Sequence, residues 1–165
     1  MKIYFAGPLF TTPERTFNAE LAARLEAAGH RVYLPQARGL TDDPDQPVRQ
    51  PSGGEGSTPR ARSMTPRQIL EKNLRGLDWA EAVVAIMDGS DPDSGTAWEC
   101  GYAYARRKPT VQFRSDIRGV GDTGGNPYNA MLTGPADAHI EILLGSVDEA
   151  ADAILAALDE VAAGS

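Results

Sequence analysis

The densest run of side chains able to do chemistry lies between Asp88 and Ala103, DGSDPDSGTAWECGYA. Asp88, Asp91 and Asp93 stand in a turn-rich stretch, and Glu99 follows Asp93 by six residues. A charged carboxylate with a second acid nearby suits cleavage of a glycosidic bond. One carboxylate attacks or shields an oxocarbenium-like carbon while another group handles the proton. Gly95 permits a tight turn into a helix expected over 96–107, which places Glu99 near the first turn, where exposed amides favour negative charge. A plainer reading competes. Acids before a helix commonly serve as caps and solvated loop residues, and spacing alone favours that reading. Cys100 beside Glu99 reads as a small core residue rather than a nucleophile. His30 and His139 have no partner within reach by sequence, and no zinc spacing, P-loop or GxGxxG motif is present.

Such a segment needs elements that hold it, and the flanking pattern supplies them. Ala82 to Met87 (AVVAIM) is an unbroken apolar run, as expected of a central strand buried on both faces, so the acids follow a strand's carboxyl end. Lys2 to Gly7 reads as a first strand and Arg31 to Pro35 as a second. Between them lies a helix over 13–29 with Phe17, Leu21 and Leu25 on one face, Thr12 as its cap and Gly29 as its stop. A further helix opens at Thr65-Pro66 and runs to about Ala80. Strands are expected at 109–113 and 140–144, and an Ala-rich closing helix at 147–162. The alternation predicts a doubly wound α/β domain of the flavodoxin or Rossmann kind, with a five-stranded parallel sheet and helices on both faces. Residues 37–63 are crowded with Pro, Gly, Ser, Asp and Arg, without periodicity. They read as a surface loop, either a lid over a site or plain connecting chain.

Composition bounds the rest. A chain of 165 residues fits a single domain. A net charge of −7 with scattered basic residues argues against a nucleic-acid partner, and no apolar run approaches bilayer-spanning length. One cysteine rules out an internal disulfide framework, and the apolar start is too short for a signal peptide, so cytoplasm is the expected compartment.

Four stretches, in order, resemble the nucleoside 2-deoxyribosyltransferase family: Tyr4 to Phe10 (YFAGPLF), Ala82 to Gly89 (AVVAIMDG), Asp93 to Ala103 (DSGTAWECGYA), and Asn129 to Leu132 (NAML). The resemblance spans most of the chain. It implies that Glu99 attacks C1′ of a 2′-deoxynucleoside and expels the base, and that a second base then takes the sugar. Asp93 matches the residue that contacts and protonates the base, and Tyr4 the one that orients the nucleophile. Asn129 matches a sugar-binding residue supplied by a neighbouring subunit, which implies a homo-oligomer with shared sites. Gly7, Phe10, Gly95 and Met131 fall on the same motifs as substrate-binding positions. No metal or organic cofactor is implied, and the partners are 2′-deoxynucleosides and free nucleobases. Ribosides are expected to react poorly.

One position departs from the pattern. Where the family usually carries an Asp on the second helix, EKNLRGLDWAE offers Asn73, so either Asp93 moves the proton alone or Asp78, about one turn on, substitutes. Related activities compete: a nucleoside 5′-monophosphate N-glycosidase, kept open by Arg15, Ser94 and Thr96, and, more remotely, a phosphoribohydrolase echoed by DSGTAWE. A nucleotide-binding module without turnover is the reading from another class.

Overall fold

The computed structural model describes residues 1–46, 64–118 and 126–164. Five parallel strands, β1 (Lys2–Ala6), β2 (Arg31–Tyr33), β3 (Ala82–Ile86), β4 (Thr110–Arg114) and β5 (Ala138–Glu141), form one sheet in the order β2-β1-β3-β4-β5. Helices α1 (Thr12–Ala27), α2 (Pro66–Trp79), α3 (Ser94–Ala105), α4 (Ala130–Thr133) and α5 (Val147–Ala163) connect and cover it. This is the flavodoxin-like order, as expected from the alternating pattern.

The two-residue period of a strand divides the core. Ile3, Phe5, Val84, Ile86, Val111 and Phe113 face α1 and α5, whose Leu21, Leu25, Ile154 and Leu158 close over them. Tyr4, Ala6, Val83 and Ala85 face the other way, onto Leu77 of α2 and Cys100 and Ala103 of α3. Alternation therefore sends Tyr4 to the side where α2 and α3 lie. The chain moves outward from β1 to β2 through α1, then returns past β1 to β3 through α2. The strand order reverses between β1 and β3, and a ligand crevice is expected at the carboxyl ends of those two strands.

Capping explains most helix starts. Thr11, not Thr12, caps α1 in a capping box with Glu14, while Thr65 with Gln68 and Ser146 with Glu149 do the same for α2 and α5. α3 begins at Ser94, two residues before the expected start, because the Asp93 carboxylate accepts from the Thr96 amide at 2.9 Å. Gly95 thus lies inside the helix rather than in the turn before it. β2 ends at Tyr33, since Pro35 opens a 3-10 turn. β5 runs over 138–141 instead of 140–144. It is an edge strand with alternating burial, while Leu143 and Leu144 are exposed in a turn closed from the Gly145 amide to the Ile142 carbonyl. The short α4 had no sequence signal. Of the loop expected over 37–63, residues 47–63 lie outside the described residues. No helix among the described residues is long and apolar enough to cross a membrane.

Candidate active site

At the carboxyl ends of β1 and β3, a cavity of about 450 Å³ opens between α2, α3 and the segments that follow β1 and β2. Gly7, Leu9 and Phe10 come from the loop after β1, Pro35 to Gly39 from the turn after β2, Ile69, Lys72 and Asn73 from α2, and Asp93, Gly95, Thr96 and Glu99 from α3 and its cap. Met64 and Arg15 complete the wall.

Glu99 is half-buried on the edge of α3's inward stripe, with Thr96, Cys100 and Ala103 packed beside it. Its Oε1 accepts the Tyr4 hydroxyl at 2.5 Å and the Asn73 amide Nδ2 at 3.2 Å. Its Oε2 accepts no hydrogen bond among the described residues and is not sealed from the cavity. One oxygen is thus held by two donors from different elements while the other stays uncommitted.

Helix α3 starts early enough that Glu99 sits in the second turn, beyond the amides at the N-terminus. One of those amides, that of Thr96, goes to Asp93 instead, whose Oδ2 also accepts the Thr96 hydroxyl at 3.3 Å. The expectation of a carboxylate stabilised by the helix end is therefore corrected. Burial pushes Glu99 up to about 7 from its ordinary 4.5. The Tyr4 hydrogen bond opposes this, the charge of Asp93 adds to it, and Asn73 and Lys72 pull it back. Burial, reinforced by Glu99, holds the Tyr4 hydroxyl far above the ordinary phenol range, so Tyr4 remains a donor.

Lys72 is buried, and burial lowers it although Glu99 and Asp42 counteract. Its ammonium donates to the Pro35 carbonyl at 2.8 Å and the Arg38 carbonyl at 3.5 Å, which ties α2 to the turn after β2. Arg38, also buried, donates to the carbonyls of Asp43 and Gln46 and lies 5.4 Å over the Tyr33 ring. Sequence reasoning missed Lys72, Arg38, Gln36, Met64 and Ile69. The turn after β2 was findable, because it follows a strand's carboxyl end near the switch point. The buried lysine carried no signal of its own.

Of the expected site residues, Gly7, Phe10, Asn73, Asp93, Gly95 and Glu99 line the cavity, and Tyr4 lies behind Glu99. Asp78 does not. Five residues beyond Asn73, it is turned about 140° around the helix, where it is exposed and bonded to the Tyr102 hydroxyl and Arg106. Within its own chain Asp78 is therefore not placed to reach a base held in this cavity. Asn129 and Met131 are exposed and outside this cavity; the Asn129 side chain caps α4 by accepting the Met131 amide at 2.9 Å. A wider, more open groove of about 860 Å³ lies at the opposite edge of the sheet, before β4 and β5, away from these carboxylates. Among the described residues no group of three or more His, Cys, Asp and Glu is placed to hold a metal ion.

The fold and site define a doubly wound α/β domain with a donor-clamped carboxylate at its switch point. The sequence model described as nucleoside 2-deoxyribosyltransferase matches residues 3–131, and the chain belongs to this family of enzymes. A curated relative, a putative 2′-deoxynucleoside 5′-phosphate N-hydrolase from Thermofilum pendens, is 30% identical over 111 residues, which cover 67% of this chain and 66% of that protein, just under two thirds. Two solved structures share the fold. A 2-deoxyribosyltransferase from Bacillus psychrosaccharolyticus aligns with a TM-score of 0.62 at 23% identity, over 92% of this chain and 90% of that one. A CMP N-glycosidase from Clostridium botulinum aligns with a TM-score of 0.57 at 15% identity, over 93% and 97%.

Proposed function

We propose that the protein cleaves the N-glycosidic bond of 2′-deoxynucleosides and passes the deoxyribosyl group to a second base, through a covalent intermediate on Glu99. The observation that carries this reading is the asymmetry of the carboxylate: Oε1 is fixed by Tyr4 and Asn73, and Oε2 is left uncommitted at the cavity wall. In the first step Oε2 bonds to C1′ as the C1′–N bond breaks. The bonding pair leaves on the base nitrogen, and the base takes up a proton. In the second step a nitrogen of the acceptor base bonds to C1′, the C1′–Oε2 bond breaks, and the acceptor gives up a proton. Asp93, on the same wall, is the group assigned to that proton traffic. Leu9, Phe10, Ala37 and Ile69 give the cavity an apolar side suited to a flat base, and the carboxylates give it a polar one.

A second reading has its own support. Arg15, Arg38 and Lys72 border the same cavity and would suit a 5′-phosphate, with water as the acceptor, in keeping with the activity named for the Thermofilum relative. The carboxylates of Asp93 and Glu99 on that wall weigh against a phosphate dianion close to them. Family membership supports nucleosides or nucleotides as the substrate class in either case. One experiment separates the readings. Purified protein is incubated with a deoxynucleoside plus a second base, with the matching riboside plus base, and with a deoxynucleoside 5′-monophosphate alone, and the products are separated. Exchange confined to the deoxynucleoside is the expected result. Base release from the monophosphate without exchange would replace transferase by hydrolase, and no turnover of any of them would leave a binding module.

A further inference from the structure

The Asn73 side chain is oriented against its own hydrogen-bonding interest. Its Nδ2 donates to Glu99 Oε1 at 3.2 Å, while its Oδ1 is buried with no partner. A buried amide ordinarily turns so that both ends are satisfied, and an orphaned carbonyl is costly. Turning it over would set its oxygen against a carboxylate oxygen, acceptor facing acceptor, so the contact with Glu99 dictates the orientation.

The groups around Glu99 show what that contact does. Tyr4 donates from β1, Tyr33 lies behind it on β2, and Lys72 stands beside Asn73 on α2. Arg15 of α1 and Arg38 after β2 border the same cavity, and Asp93 caps the helix that bears Glu99. Asp93 is the acid in this set, and its charge already opposes ionisation of Glu99. An Asp at position 73 would have the same shape as Asn, but would put a second carboxylate against Oε1.

We propose that Asn73 is a positioning residue for Glu99: its N–H fixes Oε1 alongside the Tyr4 hydroxyl, leaving Oε2 as the reacting oxygen, and its neutrality keeps another negative charge away from the nucleophile. The inference rests on Glu99 being the reacting carboxylate, as proposed above. It gives Asn73 a task beyond holding a base edge, since one N–H of its amide is committed to Glu99 and its carbonyl is sealed. An enzyme built this way keeps its nucleophile ionised nearer neutral pH than a site with an acid at 73 would.

The test uses the full chain with Asn73→Asp and Asn73→Ala, and reads Glu99 directly by ¹³C NMR titration of glutamate side-chain carboxyls, the signal assigned through its loss in Glu99→Gln. In Asn73→Asp the Glu99 midpoint is expected to rise by about one pH unit or more, and in Asn73→Ala by roughly half as much through loss of the donor. In parallel, the acid limb of kcat/KM moves up with the midpoint, so that Asn73→Asp loses about tenfold in activity near pH 6.5 and regains most of it at pH 9. A Glu99 midpoint unchanged in Asn73→Asp, or in Asn73→Ala should the first variant not fold, overturns the proposal. A midpoint that moves in a protein that hydrolyses the glycosidic bond without exchanging bases would sink the transferase reading and leave this one standing, since Glu99 would still be the reacting carboxylate.

Discussion

In the role proposed for it, Glu99 combines two demands that pull in opposite directions. A nucleophile must be ionised, yet the burial that excludes water from the anomeric carbon disfavours that charge and raises the group to about 7. Tyr4 and Asn73 offset part of the penalty by donating to one oxygen. The consequence for stability has a definite sign. Between 4.5 and about 7 the folded protein holds a proton that the unfolded chain has released, so Glu99 lowers stability as pH rises through that window. Glu99→Gln keeps the shape and removes the charge. It should gain on the order of 1–3 kcal/mol at pH 8, a rise of a few degrees in Tm, with the gain vanishing near pH 4. Calorimetry at both pH values checks this, and equal Tm shifts at pH 4 and 8 would refute it. Glu99→Ala should lose exchange by at least about a thousandfold while remaining folded. Activity of the wild type should fall as pH drops below about 7, since Glu99 must be ionised to attack. A flat kcat/KM profile from pH 5 to 8 would contradict that role.

At the scale of elements, the site depends on how closely α2 approaches β2. A Cβ at Gly76 would meet the Tyr33 ring at 2.5 Å. That ring cannot easily yield: its hydroxyl donates to the Lys72 carbonyl at 2.9 Å, and it stacks on Tyr4 with centroids 5.6 Å apart. Ala is the better helix former by about 1 kcal/mol, but overpacking a filled core costs roughly 1–3 kcal/mol. Gly76→Ala is therefore expected to destabilise the protein by about 1–2 kcal/mol, and to weaken exchange through displacement of Tyr33 onto Tyr4. Urea denaturation with a parallel rate measurement tests both, and a stabilised, fully active variant would rule out the packing argument. The loop after β3 is set by similar constraints. Gly89 adopts φ +118°, and a Cβ there would lie 2.8 Å from the Asp91 carbonyl oxygen. Asp88 holds the start of this loop to the end of β4 by accepting the Ser115 and Asp116 amides. The buried Arg114 guanidinium donates to the carbonyls of Met87 and Gly89, so the segment leading to Asp93 is anchored at both sides.

For the whole molecule, the proposed reaction requires partners for the hydroxyl groups of a sugar. Asn129, which the family resemblance assigns to the sugar, is exposed and outside the cavity formed by its own chain. Tyr128 beside it is fully buried, donating to Gln112 Oε1 at 2.6 Å, so the segment is held to β4 with Asn129 turned outward. Exposed Met131, two residues further along the chain, adds apolar surface there. If two chains share each site, Glu99→Ala and Asn129→Ala should each be nearly inactive alone, and should recover a substantial fraction of activity when mixed and allowed to exchange subunits. Absence of recovery in a mixture shown to contain hybrid oligomers would exclude a shared site.

The linear order of residues determined the alternation of strands and helices, the placement of the acids after a central strand, and the cap-and-breaker signals at most helix ends. These follow from short-range periodicity and steric preference, which act over a few residues. Tyr4, Asn73 and Glu99 could be named as members of one motif set, but that they meet on a single oxygen depended on β1, α2 and α3 converging across separations of 26 to 95 residues. Tertiary structure alone decided that Asp78 faces away, that α3 starts early enough to move Glu99 off the helix end, and that Lys72 is buried in the wall. Each of these depends on helix phase, packing and desolvation, which are properties of neighbours in space rather than in sequence.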